Sequence, residues 1–163
     1  MMIVEESGMQ FEVDESKTFL IEKSGFFGQL SGMSSCEFVT LDNNARLAMV
    51  EAKTSFSNPN NTVDFQTNVS EIVAKFHDSM EILNAILIRH KKGIVPETVE
   101  NVNPKNVDYL FYLVIKNHNK SWLPPVSDAL KSGMKVLFKT WNIKDTSLKV
   151  LNEPIARQRG LIQ

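Results

Sequence analysis

The chain has 163 residues, 42% of them apolar and 23% charged, and a formal net charge of −1. That suffices for one domain with a substantial core, and the near-neutral balance argues against a bulk polyanion binder. One cysteine, Cys36, excludes an internal disulfide and every multi-cysteine zinc pattern.

In chain order, "QFEVD" (10–14) and "TFLIEKS" (18–24) read as early strands, and the Gly/Ser-rich "GFFGQLSGMSS" (25–35) as a loop. Residues 36–42 and 46–53 read as strands around a turn at Asn43, Asn44 and Ala45, and "SFSNPNN" (55–61) as a breaker cluster. The period then changes. Phe65, Val69, Ile72, Phe76, Met80, Leu83 and Leu87 recur at three- and four-residue steps, with Glu71, Lys75, Asp78 and Glu81 between them. That spacing predicts a helix over 62–91. A loop over 93–106 follows, then a strand over 107–117 whose apolar run, Tyr109 to Ile115, suits burial on both faces. Pro at the first turn and the stripe Val126, Leu130, Met134, Leu137, Trp141 predict a helix over 124–141. A strand over 147–152 and a short helix in "PIARQRGLI" end the series. This order predicts a single α/β (α+β) domain over 1–163, a mixed central sheet flanked by helices.

The hairpin of 36–53 carries the chemistry. A two-residue loop would pair Leu41 with Arg46 and Val39 with Ala48, whereas a three-residue loop pairs Leu41 with Leu47 and Val39 with Met49. Cross-strand apolar matching favours the second register, with Asn43 or Asn44 taking the left-handed conformation it needs. Glu37 then faces Glu51, and Lys53 lies two residues on along the same face. Carboxylates this close raise a pKa or hold a cation. Mg²⁺ or Mn²⁺ suits such a pair, leaving its other positions to water and phosphate oxygens. With Lys53 alongside, these are the parts of metal-assisted phosphodiester hydrolysis.

An acidic residue on one strand, a turn, then Glu-x-Lys on the next resembles the PD-(D/E)xK phosphodiesterases, the restriction-endonuclease-like superfamily, in a divergent form. The resemblance places Glu37 at the first acidic position and Glu51 and Lys53 in the Glu-x-Lys half. It implies a core over about 18–116 with a helix–strand–helix extension over 121–163, dependence on a divalent metal, and nucleic acid as substrate. Glu37 stands where Asp is usual and Cys36 where Pro is often found. No helix precedes the first strand to supply a further Glu, so Glu22 becomes the candidate third metal ligand.

Residues 1–90 carry 13 acids and 6 bases, whereas 91–163 carry 6 acids and 12 bases. Lys131, Lys135 and Lys139 recur every four residues on one predicted helix face, and Lys120 follows the buried strand; these four are the candidate nucleic-acid contacts. Cys36 is expected to pack as a small apolar residue. Two functions follow: a metal-dependent nuclease with Glu37, Glu51 and Lys53 catalytic, or a catalytically inactive domain of the same fold that binds nucleic acid or protein. A domain this small is expected to need a second copy or a larger partner to grip a duplex. No apolar run reaches the ~20 residues of a membrane span and no secretory signal is visible, so a cytoplasmic location is expected.

Overall fold

The computed structural model of the chain describes residues 1–25, 32–89 and 94–163. Two strands, β1 (Met2–Glu6) and β2 (Met9–Val13), form an antiparallel hairpin. Its two turn residues, Ser7 and Gly8, are both left-handed, with φ of 52° and 70°. That geometry matches the twist of paired strands. Alternation then points Val4, Met9, Phe11 and Val13 inward.

The main sheet has five strands, side by side in chain order: β3 (Thr18–Phe19), β4 (Phe38–Leu41), β5 (Leu47–Lys53), β6 (Tyr109–Ile115) and β7 (Leu148–Asn152). The first three make an antiparallel meander, while β5, β6 and β7 run parallel. Parallel neighbours need long crossovers. The helices α1 (Thr62–Leu87) and α2 (Glu97–Glu100) join β5 to β6, α3 (Leu123–Gly133) and α4 (Lys135–Thr140) join β6 to β7, and α5 (Glu153–Gln158) follows β7. The expected mixed sheet flanked by helices is what the chain builds.

Alternation along the central strands gives the sheet two buried faces. Leu47 and Met49 on β5, with Phe111, Leu113 and Ile115 on β6, meet Ile72, Phe76 and Leu83 of α1 and Val126 and Leu130 of α3. Val50, Ala52 and Val114 turn the other way, toward Phe11 of the hairpin and Ala156 of α5. A fully buried side chain of this size contributes roughly 1.5–3 kcal/mol, so these layers dominate stability. Inside the first layer the Tyr109 hydroxyl donates to Asn84 Oδ1 at 2.8 Å, and Asn84 Nδ2 donates to the Met80 carbonyl at 2.9 Å. The amide is thereby satisfied, and β6 is fixed against α1.

The β4–β5 turn has the three-residue length and the register predicted, Leu41 opposite Leu47 and Val39 opposite Met49. The left-handed residue is Ala45, with φ of 57°, and not an asparagine. Asp42 organises the loop, its Oδ1 accepting from the N–H groups of Asn44 and Arg46 at 2.8 and 2.9 Å. A Cβ is unwelcome at that φ. Ala45→Gly is therefore expected to stabilise the protein by about 0.5–1 kcal/mol, read as a rise in the urea midpoint at constant slope.

Elsewhere the boundaries move. Of the strand expected over 18–24 only Thr18–Phe19 pairs, and Ile21–Lys23 forms a 3-10 turn. The helix expected over 124–141 is broken at Met134, beside Gly133. A Cβ on Gly133 would come within 2.7 Å of Val73 Cγ2, so close packing of α3 on α1 demands the glycine, a poor helix former. The loop expected over 93–106 contains α2. Residues 26–31 of the 25–35 loop, and the expected end of the long helix at 90–91, lie outside the described residues. Among the described residues no helix is long and apolar enough to cross a membrane.

Candidate functional site

Glu51 is the fifth residue of β5 and follows Leu47 and Met49 onto the α1 face. Its side chain is 0% exposed. From α1, Lys75 Nζ donates to Glu51 Oε1 at 2.7 Å, and the same ammonium lies 3.9 Å from Glu37 Oε1. The other oxygen of Glu51, Oε2, is buried and has no hydrogen-bond partner among the described residues.

Glu37 sits in a bend one residue before β4. Strand pairing runs out at Phe38 opposite Val50, and the Glu37 N–H donates to the Val50 carbonyl at 2.9 Å. The expected strand pair of Glu37 with Glu51 is thus replaced by convergence of both carboxylates on one ammonium. Helix α1 also fixes the backbone that leads into Glu37. Asp78 Oδ2 accepts from the Ser34 N–H at 2.7 Å, and Ser79 Oγ accepts from the Cys36 N–H at 2.9 Å. Cys36 is enclosed, and burial pushes its thiol up to about 12, so it packs as the apolar residue expected.

Burial raises the Glu37 carboxyl from its ordinary 4.5 to about 7; Glu51, Glu6 and Glu22 add to the rise, and Lys75 opposes it. Glu51 is raised as well, because burial outweighs the hydrogen bond from Lys75. Lys75 shows the opposite balance. Burial pulls it down, but the bond to Glu51 and the charges of both carboxylates prevail, and its ammonium is held more firmly than usual. The cluster is short of positive charge.

Lys53, the predicted catalytic lysine, ends β5 and pairs with Glu71 of α1 at 3.4 Å. Glu22 is exposed in the 3-10 turn after β3. Among the described residues no three potential metal ligands gather, so Glu22 does not complete a triad with Glu37 and Glu51. The hairpin brings Glu6 near enough for its charge to raise both carboxyls, without completing a triad. Its tip is tied to the sheet by Ser7 Oγ, which donates to the Ala52 carbonyl at 3.0 Å, and by Lys116 Nζ, which donates to the Gly8 carbonyl at 2.9 Å.

Lys131, Lys135 and Lys139 line one open depression of about 640 Å³ with Phe138, Asn142 and Asp145. Lys120 is exposed in the 3-10 turn that follows β6. The His118 ring stands between Phe56 and Trp122, with centroids 6.1 and 5.5 Å away. Burial lowers its pKa, so the ring is neutral near pH 7.

Lys75 and Glu71 are the residues that sequence reasoning passed over. Glu71, Lys75 and Asp78 step along one flank of α1 at four- and three-residue intervals and read as solvated charges. A usable signal was Ser79, a polar residue that, like Asn84, is set within the buried stripe of α1. Comparison with protein-family models, curated proteins and solved structures finds no match to this chain.

Proposed function

We propose that the chain is a divalent-metal-dependent nuclease with a restriction-endonuclease-like core. The observation that carries this reading is Glu51: a fully enclosed carboxylate with one oxygen unpartnered among the described residues, converging with Glu37 on a single ammonium. Isolated carboxylates are not left in that state without an electrostatic reason. Glu37 and Glu51 would hold Mg²⁺ or Mn²⁺, for which two carboxylates suffice when substrate phosphate completes the shell. A bound ion would supply Lewis-acid polarisation of the phosphate and a more acidic water.

The chain's own residues supply the remainder. Glu37, whose carboxyl burial raises to about 7 while no cation is bound, would give up its proton as a cation is held. Lys53 is paired with the half-exposed Glu71, an ion pair it would leave to reach a phosphodiester. The order meander, α1, parallel β6 supports the same core, and the lysine-lined depression supports nucleic acid as the substrate.

Single- and double-stranded DNA and RNA incubated with Mn²⁺ test the reading. The wild type is expected to cut at least one of them. Glu51→Gln is expected to lose roughly 10²–10³-fold in rate and Lys53→Ala a smaller factor. Equal rates in all three proteins would remove these residues from any chemistry.

One observation favours the inactive binding module instead: the Lys75 ammonium already sits on Glu51 at 2.7 Å. Under that reading the protein binds nucleic acid through Lys131, Lys135 and Lys139 without cutting it. Its affinity would then fall steeply with salt.

A further inference from the structure

We infer that Lys75 is a displaceable counter-ion, which a divalent cation must expel from Glu51 and which Glu71 then receives. The inference rests on the reading that Glu37 and Glu51 hold such a cation.

An ammonium and a hard divalent cation compete for the same carboxylate lone pairs. They also repel one another, and far more strongly between sheet and helix than in water. Lys75 Nζ lies 2.7 Å from Glu51 Oε1 and 3.9 Å from Glu37 Oε1, so it occupies the space between the two carboxylates. A divalent cation held by Glu37 and the unpartnered Oε2 of Glu51 would therefore stand against that ammonium, and the two charges repel.

Lys75 has a way out. Its side chain is 25% exposed, so the flexible four-carbon stem already reaches the surface. It also has a destination. Glu71 lies one helical turn earlier on α1, and Glu at i with Lys at i+4 is the favourable order for a helix-surface ion pair. Glu71 is 51% exposed and at present holds Lys53 at 3.4 Å. Arrival of Lys75 would neutralise Glu71 and release Lys53, the lysine nearest the end of β5. Loading the cation and freeing Lys53 are thereby one event. The helix flank carries no spare charge in this scheme: Glu71 serves Lys53 before loading and Lys75 after it.

Mn²⁺ affinity, measured by titration calorimetry with no nucleic acid present, tests this at about pH 8, well above the ordinary carboxylate range. Lys75→Met is expected to bind Mn²⁺ roughly ten- to hundredfold more tightly than wild type, the scale of one charge-assisted hydrogen bond. Lys75→Arg keeps the charge and adds a fork that fits carboxylates, so it is expected to bind more weakly than wild type. Glu71→Gln is expected to weaken binding, because the displaced ammonium loses its partner. A merely structural lysine would give the reverse sign for Lys75→Met, since loosening a site weakens its ligand.

Wild-type binding that Glu51→Gln abolishes, with Lys75→Met no tighter, overturns the inference and leaves the metal site standing. Binding by Lys75→Met where wild type binds nothing supports it. No binding by either folded protein overturns both readings. Should Lys75→Met fail to fold, Lys75→Arg decides: affinity equal to or above wild type overturns the inference.

Discussion

Lys75→Met is expected to lower the unfolding free energy by about 3–5 kcal/mol, and adding Glu51→Met to return most of that loss. The single substitution leaves Glu51 fully enclosed, with Glu37 nearby and no ammonium in contact. The double substitution replaces an ion pair by two apolar side chains of similar length among neighbours such as Met49 and Ile72, a change that buried ion pairs often tolerate. Glu51→Met alone should be milder, because Lys75 keeps Glu37 at 3.9 Å and can reach solvent. Urea unfolding of the four proteins near neutral pH, without added metal, measures the coupling. Additive losses would show that Lys75 and Glu51 do not act as a pair.

Stability is also expected to fall as pH rises from about 4.5 to about 7, by about 1–2 kcal/mol from Glu37, which solvent partly screens. The sign follows from proton counting. The unfolded chain releases the Glu37 proton near its ordinary 4.5, whereas the folded protein keeps it until about 7. Between those values the native state binds the extra proton, so its advantage is full below the lower value and gone above the upper one. The raised Glu51 acts in the same direction. Glu37→Gln removes the Glu37 contribution and should flatten the profile, leaving the variant relatively more stable at pH 8 than at pH 5. Parallel profiles for the two proteins would place Glu37 in a more solvated setting.

The architecture was legible where burial dictates pattern. Tyr109 to Ile115 has no polar break because both of its faces are covered, and the stripe of α1 is regular because one side of that helix meets a sheet. Leu41 with Leu47 and Val39 with Met49 chose the turn length correctly, since the alternative would have set Arg46 against Leu41. Strand β2 was legible in residues 10–14, but its partner β1 escaped notice although Ser7-Gly8 between alternating residues is a hairpin signal; Glu5 and Glu6 diluted the apolar pattern of β1. Residues 18–24 misled because Phe19 and Ile21 are both buried, as strand alternation would have them, yet pairing with β4 stops at Phe19. At the site, the nearness of Glu37 and Glu51 followed from the hairpin register, although Glu37 itself lies in the bend before β4 and not on a strand. The role of Lys75 did not, because it depends on how α1 lies across β5, a tertiary relation with no local signature.

The position of β6 has a consequence for the whole molecule. It is paired on both edges, by β5 and β7, and roofed on both faces. Its amides can therefore meet solvent only when the entire sheet comes apart, whereas the β1–β2 hairpin can lift as a separate unit. Among the described residues, the partly exposed Lys75 and Glu37 mark a route for ions and protons to Glu51 at the rim where α1 meets the bend before β4. Breathing of the rim, not of the central strands, would set the pace of exchange.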